Sequence, residues 1–182
     1  IRNAQSRTLS PSRVASWCND VVRALMYLED RGIKPLLSSA TLIVSERGHE
    51  PPALILKHPG EALYLNVASM IESYDERVRW LAPEVLRCQR SAEKYARTVQ
   101  WSLGIVLWEM AMCTSPPYAD TTAEQLVREV AFGGRKPEMS SHCPRVLATV
   151  IRSCLDENPV ARPEFGAIEA TFQVARVSIC AA

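Results

Sequence analysis

The chain has 182 residues, 47% hydrophobic and 23% charged, a balance that fits one soluble domain able to bury a core. Its 21 basic and 20 acidic side chains leave a formal charge of +1, which argues against nucleic acid or any other polyanion as the main partner. No apolar run reaches the ~18–20 residues needed to cross a bilayer and no signal-peptide pattern opens the chain, so direct membrane insertion is not expected.

Six cysteines, at positions 18, 88, 113, 143, 154 and 180, are scattered without a CxxC pair or zinc spacing. They are expected to be reduced, mostly buried thiols of a cytoplasmic protein, with no metal and no cofactor implied. The first residue is Ile1, so a piece of a longer protein is expected.

The first predicted element follows Ser10-Pro11-Ser12, a helix-entry signal because proline at the first helical position loses no hydrogen bond. Val14, Trp17, Val21, Val22, Leu25 and Leu28 then recur at three- and four-residue steps, predicting a helix over about 11–30. Gly32 closes it, supplying the positive φ of a C-cap. Two short apolar runs, 42–44 and 53–56, flank a polar stretch ending in Pro51-Pro52 and predict a β-hairpin. From Lys57 to Val78 the periodicity fails, and a long irregular surface segment is expected.

The remainder reads as helical. Val99–Met112 is apolar almost all round, as a helix buried on every side would be. Thr121-Thr122-Ala123-Glu124 has the T-x-x-E form of a capping box and opens a helix carrying Leu126, Val127 and Val130. Val146, Leu147, Val150, Ile151 and Cys154 form a further face, and a last helix begins near Pro163 with Phe165, Ile168 and Phe172 on one side. The fold class expected is mainly α with one small hairpin near the start, as a single domain over 1–182.

Three stretches carry a resemblance. Val78-Arg79-Trp80-Leu81-Ala82-Pro83-Glu84-Val85-Leu86 resembles the end of a protein-kinase activation segment. Trp101-Ser102-Leu103-Gly104-Ile105-Val106-Leu107-Trp108-Glu109, followed by Pro116-Pro117-Tyr118, resembles the central helix of that family and the loop after it. Cys154-Leu155, Pro159 and Arg162-Pro163-Glu164-Phe165 resemble its final helical pair. Together they resemble the C-terminal lobe of a protein kinase of tyrosine-kinase or tyrosine-kinase-like type, over nearly the whole chain. The resemblance implies a buried ion pair between Glu84 and Arg162.

It also implies a catalytic loop after Tyr27-Leu28-Glu29-Asp30-Arg31-Gly32-Ile33. Anchored on the first strand, Leu36 stands where the base aspartate belongs and Thr41 where the metal-binding asparagine belongs; residues 34–44 contain no Asp, Asn, Glu or His. His58, in His58-Pro59-Gly60, takes the place of the metal-binding aspartate. Magnesium asks for hard oxygen ligands, which leucine and imidazole do not supply. Val99 replaces an aspartate at the start of the central helix, so its junction with Leu36 is expected to be apolar. No glycine-rich loop or Val-Ala-x-Lys is present, so the N-terminal lobe is not expected within this chain.

These positions lead to the expectation of a pseudokinase: a non-enzyme that acts by binding other proteins as a scaffold, an allosteric modulator or a structural component. The alternative is the kinase-homology part of a larger receptor or enzyme that binds nucleotide, or has unorthodox phosphotransferase activity, when complete. Lys34, Lys57 and His58 are candidates for a metal-free anion site, Glu46 or Glu61 for a displaced metal ligand or base, and Tyr64 and Tyr74 for phosphorylation.

Overall fold

The computed structural model describes residues 11–45, 53–56, 67–87, 97–114 and 116–180. Helix α1 spans Pro11–Glu29, and its predicted stripe is buried from Val14 through Leu28. Its exit is a Schellman turn: Gly32 at φ 67° gives its N–H to Glu29, while Ile33 gives its N–H to Leu28. Strands β1 (Leu42–Ser45) and β2 (Ala53–Leu56) pair antiparallel, with Leu42 opposite Leu56 and Ile43 opposite Ile55. Alternation turns Leu42 into the core and leaves the Ile43–Ile55 pair exposed.

The expectation of an irregular segment from 57 to 78 needs correction over its described part. Helix α2 covers Val67–Glu72, and a 3-10 turn covers Glu76–Trp80. Met70 and Val78 are buried, so both short elements belong to the packed body. Elements of one or two turns are too brief to display a 3.6-residue repeat, and tertiary burial holds them instead. Helix α3, Pro83–Leu86, follows with proline in its first turn.

Helix α4, Thr98–Met112, is the centre: every residue from Thr98 to Met110 is buried. It packs along helix α6 (Arg145–Cys154), where Gly104 permits the approach, since a Cβ there would lie 2.9 Å from the Cys154 Cβ. Helix α7 (Phe165–Cys180) lies along α1 and starts two residues after Pro163. Among the described residues the fold is thus a helical bundle with one two-stranded antiparallel sheet.

Helix α5 spans Ala123–Ala131, and the capping box sits one residue later than its T-x-x-E reading. Thr122 is the N-cap: its hydroxyl accepts the Gln125 N–H at 3.2 Å, and the Gln125 amide oxygen accepts the Thr122 N–H at 3.5 Å. Glu124 instead pairs with Arg128 one turn on, at 2.7 Å. On α6, Val146 is exposed, while Leu147, Val150, Ile151 and Cys154 are buried.

Among the described cysteines, Cys18 and Cys154 are buried, Cys143 is half-buried and Cys113 is exposed; all four are free. Burial pushes the Cys154 thiol up to about 12 and the Cys18 thiol higher still, so neither is a nucleophile near neutral pH. No helix among the described residues is long and apolar enough to cross a membrane.

Candidate functional site

The loop between α1 and β1 carries two of the positions that the resemblance singles out. Leu36 and its neighbour Leu37 are buried, and Val99 at the start of α4 joins the same apolar core. Thr41 ends a 3-10 turn over Ser39–Thr41, and its hydroxyl serves that turn. It donates to the Ser38 carbonyl at 2.7 Å and accepts the Ser38 N–H at 3.1 Å. A hydroxyl so occupied and an alkyl side chain do not make an octahedral oxygen cage, and no cluster of three or more His, Cys, Asp or Glu exists among the described residues. The donor set at Leu36 and Thr41 does not fit magnesium.

Lys34 is half-buried and lies close enough to Glu29 to act on its carboxyl, beside Glu164, Asp30 and Arg97. Burial first, and then the neighbouring carboxylates, raise the Glu29 carboxyl above its ordinary range. Lys57, His58, Glu46, Glu61 and Tyr64 lie outside the described residues. Tyr74 is exposed, in the turn between α2 and the 3-10 turn, with φ 49°. After it, Asp75 accepts the Arg77 N–H at 2.8 Å and holds the guanidinium at 2.9 Å, which lowers the Asp75 carboxyl.

The structure brings Glu84 and Arg162 together. Both are almost wholly buried, and two guanidinium N–H groups donate to the two carboxylate oxygens at 2.6 and 2.8 Å. Two further N–H groups of the fork donate to the Asp156 carbonyl at 2.9 Å and the Arg97 carbonyl at 3.0 Å. Arg162 also lies over the Trp101 ring, 5.3 Å from its centroid. Arg97 completes the junction, donating to the carbonyls of Val160 (2.8 Å) and Arg162 (2.5 Å) and to Glu164 (2.9 Å).

Sequence reasoning missed Arg97, Arg79 and Glu109. Arg79 is buried and donates to the backbone carbonyls of Tyr118 (2.7 Å), Thr121 (3.1 Å) and Pro117 (3.3 Å), and to the Glu76 carboxylate. It thereby ties the segment before α3 to the α4–α5 loop and the start of α5. The only sequence signal was a charged residue inside an otherwise apolar run, Val78 to Ala82. Glu109, buried in α4, accepts the Trp80 indole N–H at 2.8 Å and the Ser39 hydroxyl at 3.0 Å. A carboxylate in the middle of an apolar helix was legible, but its partners were not.

This architecture has counterparts among known proteins. Residues 2–172 match the family described as protein tyrosine and serine/threonine kinase, and the chain belongs to that family. It is similar to human mitogen-activated protein kinase kinase kinase 10, with 26% identity over 175 residues, covering 92% of this chain and 18% of that protein. It is 35% identical over 175 residues to the serine/threonine/tyrosine-protein kinase HT1 of Arabidopsis thaliana, covering 95% and 43% of the two chains. Over 90 residues it is 38% identical to the insulin-like growth factor 1 receptor of Xenopus laevis, covering 48% and 6%. The chain thus spans a minor part of the length of each of these relatives.

These findings confirm a kinase C-lobe of tyrosine-kinase-like type. They overturn the expectation of a non-enzyme drawn from Leu36, Thr41 and His58: the family is one of kinases and the relatives are named as kinases, which points to an enzyme. The physical reason is that phosphoryl transfer depends chiefly on positioning and charge stabilisation. Three missing donor groups in a single loop and its neighbour are therefore a narrow basis for excluding it.

Proposed function

We propose that this chain is the substrate-side lobe of a protein-kinase-family enzyme whose complete form transfers phosphoryl groups to protein hydroxyls by an unorthodox route. The observation that carries the reading is the Arg79 clamp. It joins Glu76, the Pro117–Tyr118 loop and the Thr121 turn into one unit that can hold a protein chain against the lobe. In the transfer, the terminal phosphoryl of a nucleoside triphosphate passes to a serine, threonine or tyrosine oxygen. The diphosphate leaves and the hydroxyl proton goes to water. Residues 34–44 supply no base, so this lobe contributes placement of the acceptor, and slow turnover is expected.

Protein binding is the second part of the reading: the same unit docks partner proteins, and Tyr74, exposed at its edge, is a candidate acceptor for another kinase. The test uses the complete protein with ATP labelled on its terminal phosphate and a mixture of serine, threonine and tyrosine peptides, with and without magnesium. Label reaching peptide in proportion to protein concentration supports the proposal. Label remaining entirely on nucleotide, under both conditions and at stoichiometric protein, overturns it.

A further inference from the structure

Helix α5 has 9 residues, fewer than the ~12–15 at which a helix holds itself in water. Its ends are therefore fixed from outside, the last turn above all, because the final carbonyls of a helix have no partner within it. The Arg135 N–H takes the Glu129 carbonyl at 3.1 Å, and the half-buried Arg87 gives its guanidinium to the Ala131 carbonyl. Arg87 is the C-cap of α3, so the end of α5 is capped by a side chain 44 residues earlier in the chain. A cation there also matches the partial negative charge of a helix C-terminus.

The other end of α5 is fastened from the same stretch. Arg79, in the 3-10 turn just before α3, donates to the carbonyl of Thr121 at 3.1 Å, next to the Thr122 N-cap, and to that of Tyr118 at 2.7 Å. Two arginines at the ends of one short segment thus hold the two ends of one short helix. Between them α5 buries Ala123, Leu126 and Val130 and packs on α3 and the 3-10 turn. A planar guanidinium bonded to a carbonyl transmits position more firmly than a mobile ammonium would. We propose that residues 79–87 and α5 form one relay, with Arg87 the positioning residue that closes it, so that a protein displacing α5 displaces the segment on both sides of α3. The coupling is carried by contiguous hydrogen bonds and packing, and it holds whether or not the complete protein transfers phosphate.

Amide exchange of the complete protein, read residue by residue, tests the relay. Arg87→Met keeps the aliphatic stem and removes the donors, so exchange at residues 128–132 should quicken roughly tenfold. Residues 76–81, on the far side of α3, should quicken by about threefold or more, while residues 165–172 of α7 keep their native rates. Arg87→Lys keeps the cation without the fork and should give smaller changes at the same two places. A cap that served α5 alone would leave residues 76–81 at the native rate, and that result overturns the proposal. Unchanged exchange at both places overturns it too, as does an equal rise in α7, the mark of general loosening. Should Arg87→Met fail to fold, Arg87→Lys decides: faster exchange at 128–132 and at 76–81 supports the relay, and any other pattern refutes it.

Discussion

The junction around Arg162 and the loop from Lys34 to Thr41 handle charge in opposite ways. At the junction, Arg162 and Glu84 are buried together, with the half-buried Arg97 and the exposed Glu164 at the edge, and the two arginines donate to carboxylate and carbonyl oxygens. In the loop, the positions that the family resemblance marks for chemistry are aliphatic or hold a hydroxyl turned back on its own backbone. The difference teaches that a fold can keep its structural charges independently of its reactive ones. The first set is required by the solvation physics of the interior, where an unmatched ion is very costly, whereas the second has no structural consequence once an apolar side chain fills the space.

That contrast breaks most visibly if Glu84 is truncated. Glu84→Ala leaves the Arg162 guanidinium buried without its carboxylate and should cost about 3–5 kcal/mol, measured by denaturant unfolding. A loss below about 1 kcal/mol would show that the junction is not the anchor described.

The opposite substitution tests the loop. Leu36→Asp puts a carboxylate into an apolar site and should destabilise by about 2–4 kcal/mol at neutral pH. Desolvation raises the folded-state pKa of such a group above its unfolded value, so protonation favours the folded chain. The deficit should therefore shrink as pH falls through that raised pKa; a deficit that is flat with pH would mean that position 36 faces water.

A smaller effect sharpens the boundary of α5. Thr122→Ala should lower stability by ~1 kcal/mol through loss of the N-cap bond, and Thr121→Ala by much less, compared in the same melting experiment. Equal losses would return the cap to the T-x-x-E reading.

The smallest expected effects come from two surface carboxylates with opposite signs. Asp75, bonded by Arg77, has a lowered pKa, so its contribution is present above the unfolded carboxyl pKa and fades as pH falls through the lower folded value. Glu29 has a raised pKa, so its charged form is the disfavoured one and acid relieves it. Asp75→Asn should flatten the acid limb of the stability curve, and Glu29→Gln should add stability at neutral pH that vanishes in acid. Both changes should stay below about 1 kcal/mol, because these groups are partly solvated. Inverted signs would mean that their neighbours are misassigned.

Long elements were legible because their burial is written in period: the stripe from Val14 to Leu28, the apolar α4, and Gly32 as a cap all follow from local rules. The short helices α2 and α3 were not, since one turn of chain has no period to read. The capping register failed for a related reason. Thr121-x-x-Glu124 and Thr122-x-x-Gln125 are equally good locally, and only the direction of entry into α5 selects the second.

What the sequence determined by itself was the helical lobe, the Glu84–Arg162 pairing as a family implication, and the lack of acidic or amide side chains in residues 34–44. What only the tertiary structure decided were the partners of Arg79, Arg97 and Glu109. Their hydrogen bonds run largely to backbone carbonyls and to side chains distant in the chain. A carbonyl is present at every residue and so leaves no mark in the amino-acid code. Which carbonyl a buried arginine reaches is set by the packing of helices around α4.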